Sequence, residues 1–193
     1  MKYPISELFY SIQGEGVHSG QAAFFIRLAG CNLTCDFCDT DYSMKSELTE
    51  EAIYHEALKN PSRTVIITGG EPTMHNLRPL TNVFKKEFQI HLETNGTIQP
   101  DGYFDWVAVS PKSEFPLDYM LKRAQEVKFL CGFERWKETI KVLSPRCKGH
   151  IWLMPIADGL ILNPNTTRWA KEYCLEHPEV KLCIQTQKVG GFR

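Results

Sequence analysis

Short runs rich in β-branched and aromatic residues recur along this chain of 193 residues, separated by stretches of helical periodicity. AAFFIRLA (22–29), TVIIT (64–68), IHLET (90–94) and WVAVS (106–110) are nearly continuous in apolar character rather than alternating, which is the pattern of strands buried on both faces. VKFL (127–130), HIWLMPI (150–156), VKLCIQT (180–186) and the opening ISELFYSI (5–12) read as further strands. Helices are expected over 49–60, 75–88, 116–126, 133–143 and 165–177. The first of these carries Thr49 as its N-cap and acidic residues in its first turn. Buried strands alternating with helices specify an α/β architecture with a mostly parallel sheet covered by helices. About six β/α units are too few for a closed eightfold barrel of roughly 250 residues. An abbreviated, open (partial) β/α barrel or a wound open sheet is expected, as a single domain over 1–193.

Both architectures bind ligands beyond the carboxyl ends of their strands. A cysteine-containing loop follows the 22–29 strand, TGGEPT follows 64–68, ETNGT ends 90–94, SPK ends 106–110 and QTQK ends 180–186. These segments are expected to gather on one rim and to form the active site. The net charge of -1 gives no basic footprint for nucleic acid. No apolar run reaches the roughly 18 residues of a membrane span. The N-terminus lacks a basic region followed by an apolar block, so a cytoplasmic protein with reduced cysteines is expected.

Of the seven cysteines, Cys31, Cys35 and Cys38 are spaced C-x3-C-x2-C. An odd count with one tight group argues for a metal site over a disulfide framework. Cys131, Cys147, Cys174 and Cys183 are scattered and read as small buried apolar residues. Structural zinc closes with four ligands, so His18 or a distant cysteine would have to complete it here. An electron-transfer iron–sulfur cluster likewise takes four cysteines. The remaining option is a [4Fe-4S] cluster with three irons held by thiolates and the fourth left open, a place for a ligand to bind and react.

CNLTCDFC resembles the signature of the radical S-adenosylmethionine (SAM) enzymes, in which SAM chelates the open iron through its amino and carboxylate groups. Phe37, before the last cysteine, matches the position that packs against the adenine, with a plain core aromatic as the lesser alternative. GGEP (69–72) resembles the second motif of that superfamily, which receives the methionyl ammonium. Gly69 and Gly70 let the backbone approach a ligand closely, and Glu71 supplies a carboxylate for a cation. In isolation Gly-Gly-x-Pro is often only a turn. The resemblance implies that one electron passes from the cluster into SAM, giving methionine and a 5′-deoxyadenosyl radical that takes a hydrogen atom from the substrate. The cofactor carries the hard chemistry and the protein aims it.

LFYSIQGEG (8–16), FIRLAGCNLTCDFCDT (25–40), ITGGEP (67–72), ETNGT (93–97), SPK (110–112) and CIQTQK (183–188) stand in an order similar to that of the 7-carboxy-7-deazaguanine synthase family. The resemblance implies a lyase that converts 6-carboxy-5,6,7,8-tetrahydropterin to 7-carboxy-7-deazaguanine, contracting the ring with loss of ammonia, in queuosine and 7-deazapurine biosynthesis. It also implies catalytic use of SAM, a Mg²⁺ ion, an external one-electron reductant of flavodoxin or ferredoxin type, and a homodimer. Carried over by position, Cys31, Cys35 and Cys38 hold the cluster and Thr40 contacts the magnesium, which usually keeps waters and substrate oxygens as its other ligands. Without the resemblance Thr40 reads as a loop hydroxyl bonded to nearby backbone.

Ile12, Gln13, Gly14 and Glu15 match the substrate loop, and Thr68 matches a further substrate contact. Arg27 suits the substrate carboxylate through its bidentate fork, with a structural ion pair as the alternative. Gly70, Ser110, Pro111, Lys112, Gln185, Thr186, Gln187 and Lys188 match SAM-binding positions. Two departures stand out. The chain ends VGGFR where some members end in a pocket-lining proline, which leaves Phe192 or Arg193 for that place, and Gln187 stands where histidine is expected. Another small radical SAM enzyme, such as a glycyl-radical activating enzyme, shares the cluster and GGEP, whereas SIQGEG and CDT favour the pterin reaction. A zinc or iron–sulfur binding module is the alternative outside enzymes.

Overall fold

The computed structural model describes residues 1–112, 116–132, 135–158 and 161–192. The chain opens with strands β1 (Lys2–Ile12), β2 (Ala22–Leu28) and β3 (Ser46–Thr49). Helix α1 (Glu50–Leu58), β4 (Thr64–Gly69), α2 (Arg78–Phe84), β5 (Gln89–Thr94) and β6 (Trp106–Val109) follow. Next come α3 (Asp118–Arg123), β7 (Glu126–Cys131), α4 (Trp136–Leu143) and β8 (His150–Pro155). A small pair, β9 (Ala157–Asp158) and β10 (Ile161–Leu162), precedes α5 (Pro164–Glu176), β11 (Val180–Leu182) and α6 (Thr186–Gly190).

Among the described residues one nine-stranded sheet runs in the order β11-β8-β7-β6-β5-β4-β2-β1-β3. From β2 to β11 every pairing is parallel, while β1 lies antiparallel to β2 and β3 antiparallel to β1. The sheet does not close, so the expected open, partial β/α barrel is the architecture. Residues following β1 bridge the gap instead. Val17 N donates to Glu126 Oε2 at 2.9 Å, Gly16 N to Cys183 Sγ at 3.3 Å and Thr186 N to Gly14 O at 3.1 Å.

Side-chain alternation divides each strand between two environments. Phe24, Ile26 and Leu28 of β2, Val65 and Ile67 of β4, Ile90 and Leu92 of β5 and Val127 and Phe129 of β7 join the main core with the helices. Each such side chain is worth about 1.5–3 kcal/mol when fully buried, so this outer layer carries the stability. The inner face differs. Ala23, Phe25 and Ile66 form only a small apolar cluster with Phe9, and above it Arg27, Thr68, Glu93 and Lys128 line a cavity.

Several expected boundaries move. Helix α1 begins as expected, with Thr49 Oγ1 accepting from Ala52 N at 3.2 Å. The helix expected from His75 begins at Arg78, with a proline in its first turn, where the missing N–H costs nothing. The helix expected to reach 126 stops at Arg123, because Gln125 is bonded to β6: its N–H donates to Val107 O at 3.0 Å and its Oε1 accepts from Val107 N at 2.7 Å. The strand expected over 180–186 ends at Leu182, and QTQK opens α6 rather than closing a strand. Thr186 leaves the sheet edge because its N–H and its hydroxyl both bond to Gly14 O. In the 133–143 helix, Phe133 and Glu134 lie outside the described residues.

Candidate active site

The chain leaves β2 for a loop whose ends are tied down. Gly30 N donates to Tyr42 O at 3.0 Å, and Ser6 Oγ donates to Asp41 O at 2.8 Å. Cys31, Cys35 and Cys38 line one cavity of about 600 Å³, together with Phe37 and Thr40. A turn in which Cys38 N donates to Cys35 O at 3.0 Å joins two of the cysteines. Among the described residues no three His, Cys, Asp or Glu side chains converge as a single metal ion requires. One zinc ion needs its thiolates about 2.3 Å from a common centre. An iron–sulfur cluster engages separate irons and spaces its thiolates further apart. The donor set therefore fits a cluster better than one ion.

GGEP is bonded directly to this loop. Glu71 N donates to Gly30 O at 2.9 Å and Gly70 N to Leu28 O at 3.3 Å. A Cβ on Gly70 would stand 2.7 Å from Cys31 Cβ and collide with Gly30 O. Gly69 and Gly70 line the cavity. Glu71, expected from the sequence to offer its carboxylate to a cation, turns away from it and is 0% exposed. Its Oε1 accepts from Thr73 N at 3.0 Å, Thr73 Oγ1 at 2.6 Å and Thr94 Oγ1 at 2.7 Å, and its Oε2 accepts from Asn95 N at 2.7 Å. Asn95 Nδ2 in turn donates to Asn32 Oδ1 at 3.0 Å. Glu71 thus connects the loop after β5 to the cysteine loop, and the cavity side of the motif is glycine backbone.

Deeper in the cavity, charged side chains from several strands meet. Lys128 Nζ donates to Glu15 Oε2 at 2.9 Å and to Glu93 Oε1 at 2.8 Å. Glu93 Oε1 also accepts from Gln13 Nε2 at 3.0 Å, and its Oε2 accepts from Thr68 Oγ1 at 3.2 Å. Glu15 Oε1 accepts from Gln185 Nε2 at 2.8 Å and Gln187 Nε2 at 2.9 Å. Burial would raise the Glu15 carboxyl, but the Lys128 ammonium and the two amides outweigh it and hold it down at about 2. Burial would likewise lower Lys128, and the carboxylates of Glu15, Glu93 and Glu126 reverse that, leaving it firmly protonated. Arg27 lies over the Phe9 ring at 5.5 Å, and its Nε stands 3.7 Å from Glu7 Oε2. That long contact to Nε leaves the guanidinium half-buried at the cavity wall.

Ile12, Gln13, Gly14, Glu15, Arg27 and Thr68 all line this cavity, as do Ser110, Lys112, Gln185, Gln187 and Lys188. Ser110 Oγ accepts from Lys112 Nζ at 2.7 Å and donates to Lys128 O at 3.1 Å. Pro111 is buried and Thr186 is turned to Gly14, and neither lines the cavity. Lys188 forms an ion pair with Asp39 of the cysteine loop across the mouth. Phe192 lines the cavity, while Arg193 lies outside the described residues. The sequence reading did not single out Glu93 or Lys128. Their signal was available: each is a charged residue inside an apolar strand, the same signal that marks Arg27.

The model of the radical SAM superfamily matches residues 25–156. The 7-carboxy-7-deazaguanine synthase of Bacteroides thetaiotaomicron is 37% identical over all of this chain and all of its own length. That of Bradyrhizobium diazoefficiens is 36% identical, again over the whole of both chains. The crystal structure of QueE from Escherichia coli superposes with a TM-score of 0.82 at 31% identity, covering 96% of this chain and 94% of that one. The match spans the cysteine loop, the GGEP segment and the charged inner face together, and the chain belongs to the radical SAM superfamily and, within it, to the 7-carboxy-7-deazaguanine synthase family.

Proposed function

We propose that this chain converts 6-carboxy-5,6,7,8-tetrahydropterin to 7-carboxy-7-deazaguanine and ammonia. Loss of one ammonia balances the equation with no net oxidation, which agrees with SAM acting as a cofactor that is regenerated. The observation that carries the reading is that three thiols and a floor of paired charges share one cavity. Cys31, Cys35 and Cys38 would hold a [4Fe-4S] cluster with one iron left for SAM. When bound, cluster and SAM supply one-electron cleavage and hydrogen-atom abstraction.

The chain's own residues supply recognition and exclusion of water. Gly69 and Gly70 offer backbone to the methionyl end of SAM, Phe37 an aromatic face for adenine, and Lys112, held beside the Ser110 hydroxyl, a donor at its rim. The Arg27 guanidinium is suited to the substrate carboxylate, because its planar fork matches two oxygens at once. Glu93, with Glu15 paired beside it through Lys128, offers a carboxylate to the donor-rich pyrimidine edge of a pterin, and Gln13 and Thr68 orient Glu93. Thr40 would give Mg²⁺ one protein oxygen beside the substrate, as a hydrated magnesium site allows. An external one-electron reductant of flavodoxin or ferredoxin type, a cytoplasmic setting and a homodimer belong to the same reading. Among the described residues no helix is long and apolar enough to cross a membrane.

Anaerobic turnover of the reconstituted protein with SAM, reductant, Mg²⁺ and carboxytetrahydropterin, followed by mass spectrometry, tests the reading. A product lighter than the substrate by one ammonia is expected. Full cluster loading and SAM cleavage without that product would overturn the assignment.

A further inference from the structure

Lys128 is an ammonium in the middle of the apolar strand β7, with 3% of its side chain exposed. It holds one oxygen of Glu15 and one of Glu93, which come from different parts of the chain. A buried ion group of this kind is a poor stabilising device, since apolar residues of similar volume generally do as well. Its geometry has a consequence at the cavity. Both oxygens of Glu15 are engaged by the protein, one by Lys128 and the other by Gln185 and Gln187. Glu93 gives Oε1 to Lys128 and Gln13, whereas the Thr68 hydroxyl meets Oε2 at 3.2 Å, and 25% of the side chain is open to the cavity.

We propose that Lys128 is a positioning residue for the substrate: it holds one oxygen of Glu15 and one of Glu93 side by side and turns Glu93 Oε2 outward as an acceptor for the N–H edge of a pterin. The proposal rests on the pterin reading above. Without the cation, two carboxylates that both reach the same point would repel, and one would take up a proton. A protonated Glu93 presents a donor to a donor edge, the wrong match. The other titratable groups facing Lys128 do not replace it. Glu126, on its own strand, is engaged by Val17 N and Trp106 Nε1. Lys112 is turned to Ser110, and the thiol of Cys183 is raised by burial and so stays neutral.

The test is calorimetric titration of carboxytetrahydropterin, under anaerobic conditions, into unreduced, SAM-loaded enzyme with its cluster. The unaltered enzyme is expected to bind with an affinity nearly flat between about pH 6 and about pH 8, because the Lys128 ammonium between the two acids removes their mutual repulsion. Lys128→Met should bind at least about tenfold more weakly, the loss expected when a charged hydrogen-bonding group is mispaired. Its affinity should recover as pH rises. Cluster content and affinity for SAM should be unchanged. Lys128→Met/Glu15→Gln has no like-charge pair and should lose the pH dependence.

A loss equal at every pH and unaffected by Glu15→Gln would mark Lys128 as merely structural and overturn the proposal. If Lys128→Met alone does not accumulate, Lys128→Arg keeps the cation and should stay flat with pH; a pH-dependent affinity in that variant overturns the proposal. Failure of the unaltered enzyme to bind this pterin overturns the pterin reading and the proposal together. Binding by the unaltered enzyme with no change in Lys128→Met overturns the role of Lys128 alone.

Discussion

Glu71 makes a direct case for reading a motif residue by its hydrogen bonds. A carboxylate that received an ammonium would keep an oxygen toward the cavity, yet both oxygens of Glu71 are bonded within the protein. The two roles separate in Glu71→Gln. With the amide oxygen kept toward Thr73 and Thr94, the amide nitrogen faces Asn95 N, donor against donor, in a site with no solvent. Leaving such a buried donor unmatched costs about 1–3 kcal/mol. For a chain of this size that lowers Tm by about 2–4 °C per kcal/mol. The expected outcome is a Tm lower by several degrees with little change in affinity for SAM, measured by thermal unfolding and equilibrium binding on cluster-loaded protein. Weakened SAM binding at unchanged Tm would return Glu71 to the role of cation ligand. From sequence, GGEP was legible as a motif. That its acid bridges three loops was not, because Thr94 and Asn95 lie more than twenty positions away and only the parallel pairing of β4 with β5 brings them near.

At the scale of elements, the part least legible in the sequence is α6. VKLCIQT has strand composition throughout, and nothing local marks the exit from the sheet at Leu182. The exit is decided by tertiary bonds: Gln185 and Gln187 reach Glu15, and Thr186 reaches Gly14. The strands themselves were legible, and so was their end-loop rim, since continuous apolar runs separated by helices imply a parallel order that gathers those loops. The contact between α6 and the loop after β1 has a glycine at its centre. A Cβ on Gly14 would stand 2.8 Å from Gln187 backbone N and run into the Gln187 side chain. The side chain can move, but the backbone must shift the whole short helix. Gly14→Ala is therefore expected to displace α6 and lower substrate affinity by about tenfold or more, the scale of overpacking a tight contact, while the cluster is retained. Faster amide exchange over 185–192 with normal cluster absorption would support this, and wild-type affinity would refute it.

Across the whole molecule, stability and chemistry occupy opposite faces of one sheet. The outer face is apolar against the helices, whereas the inner face descends from the ion network of Glu15, Glu93 and Lys128 to a layer of His91, Trp106 and Glu126. His18, from the segment that bridges the open sheet, closes this layer from below, with ring centroids 4.5 Å from both His91 and Trp106. Burial, with a smaller push from His18, lowers His91 from 6.5 to about 4, although Asp105 and Glu93 pull the other way. The native protein therefore holds His91 neutral where the unfolded chain would protonate it. The resulting contribution is present in full above about pH 6.5 and is lost as pH falls through about 4. Linkage puts the loss between pH 7 and pH 5 at about 2 kcal/mol, or several degrees in Tm. Glu15, held near 2 against an ordinary 4.5, weakens the fold only at lower pH, so the two windows separate. His91→Phe keeps an aromatic ring in the layer and removes the titration. Thermal unfolding of both proteins in the same cluster state should show the wild type losing several degrees more than the variant on going from pH 7 to pH 5. Parallel losses would place the acid sensitivity elsewhere, and a larger loss in the variant would mean that His91 is charged in the folded protein.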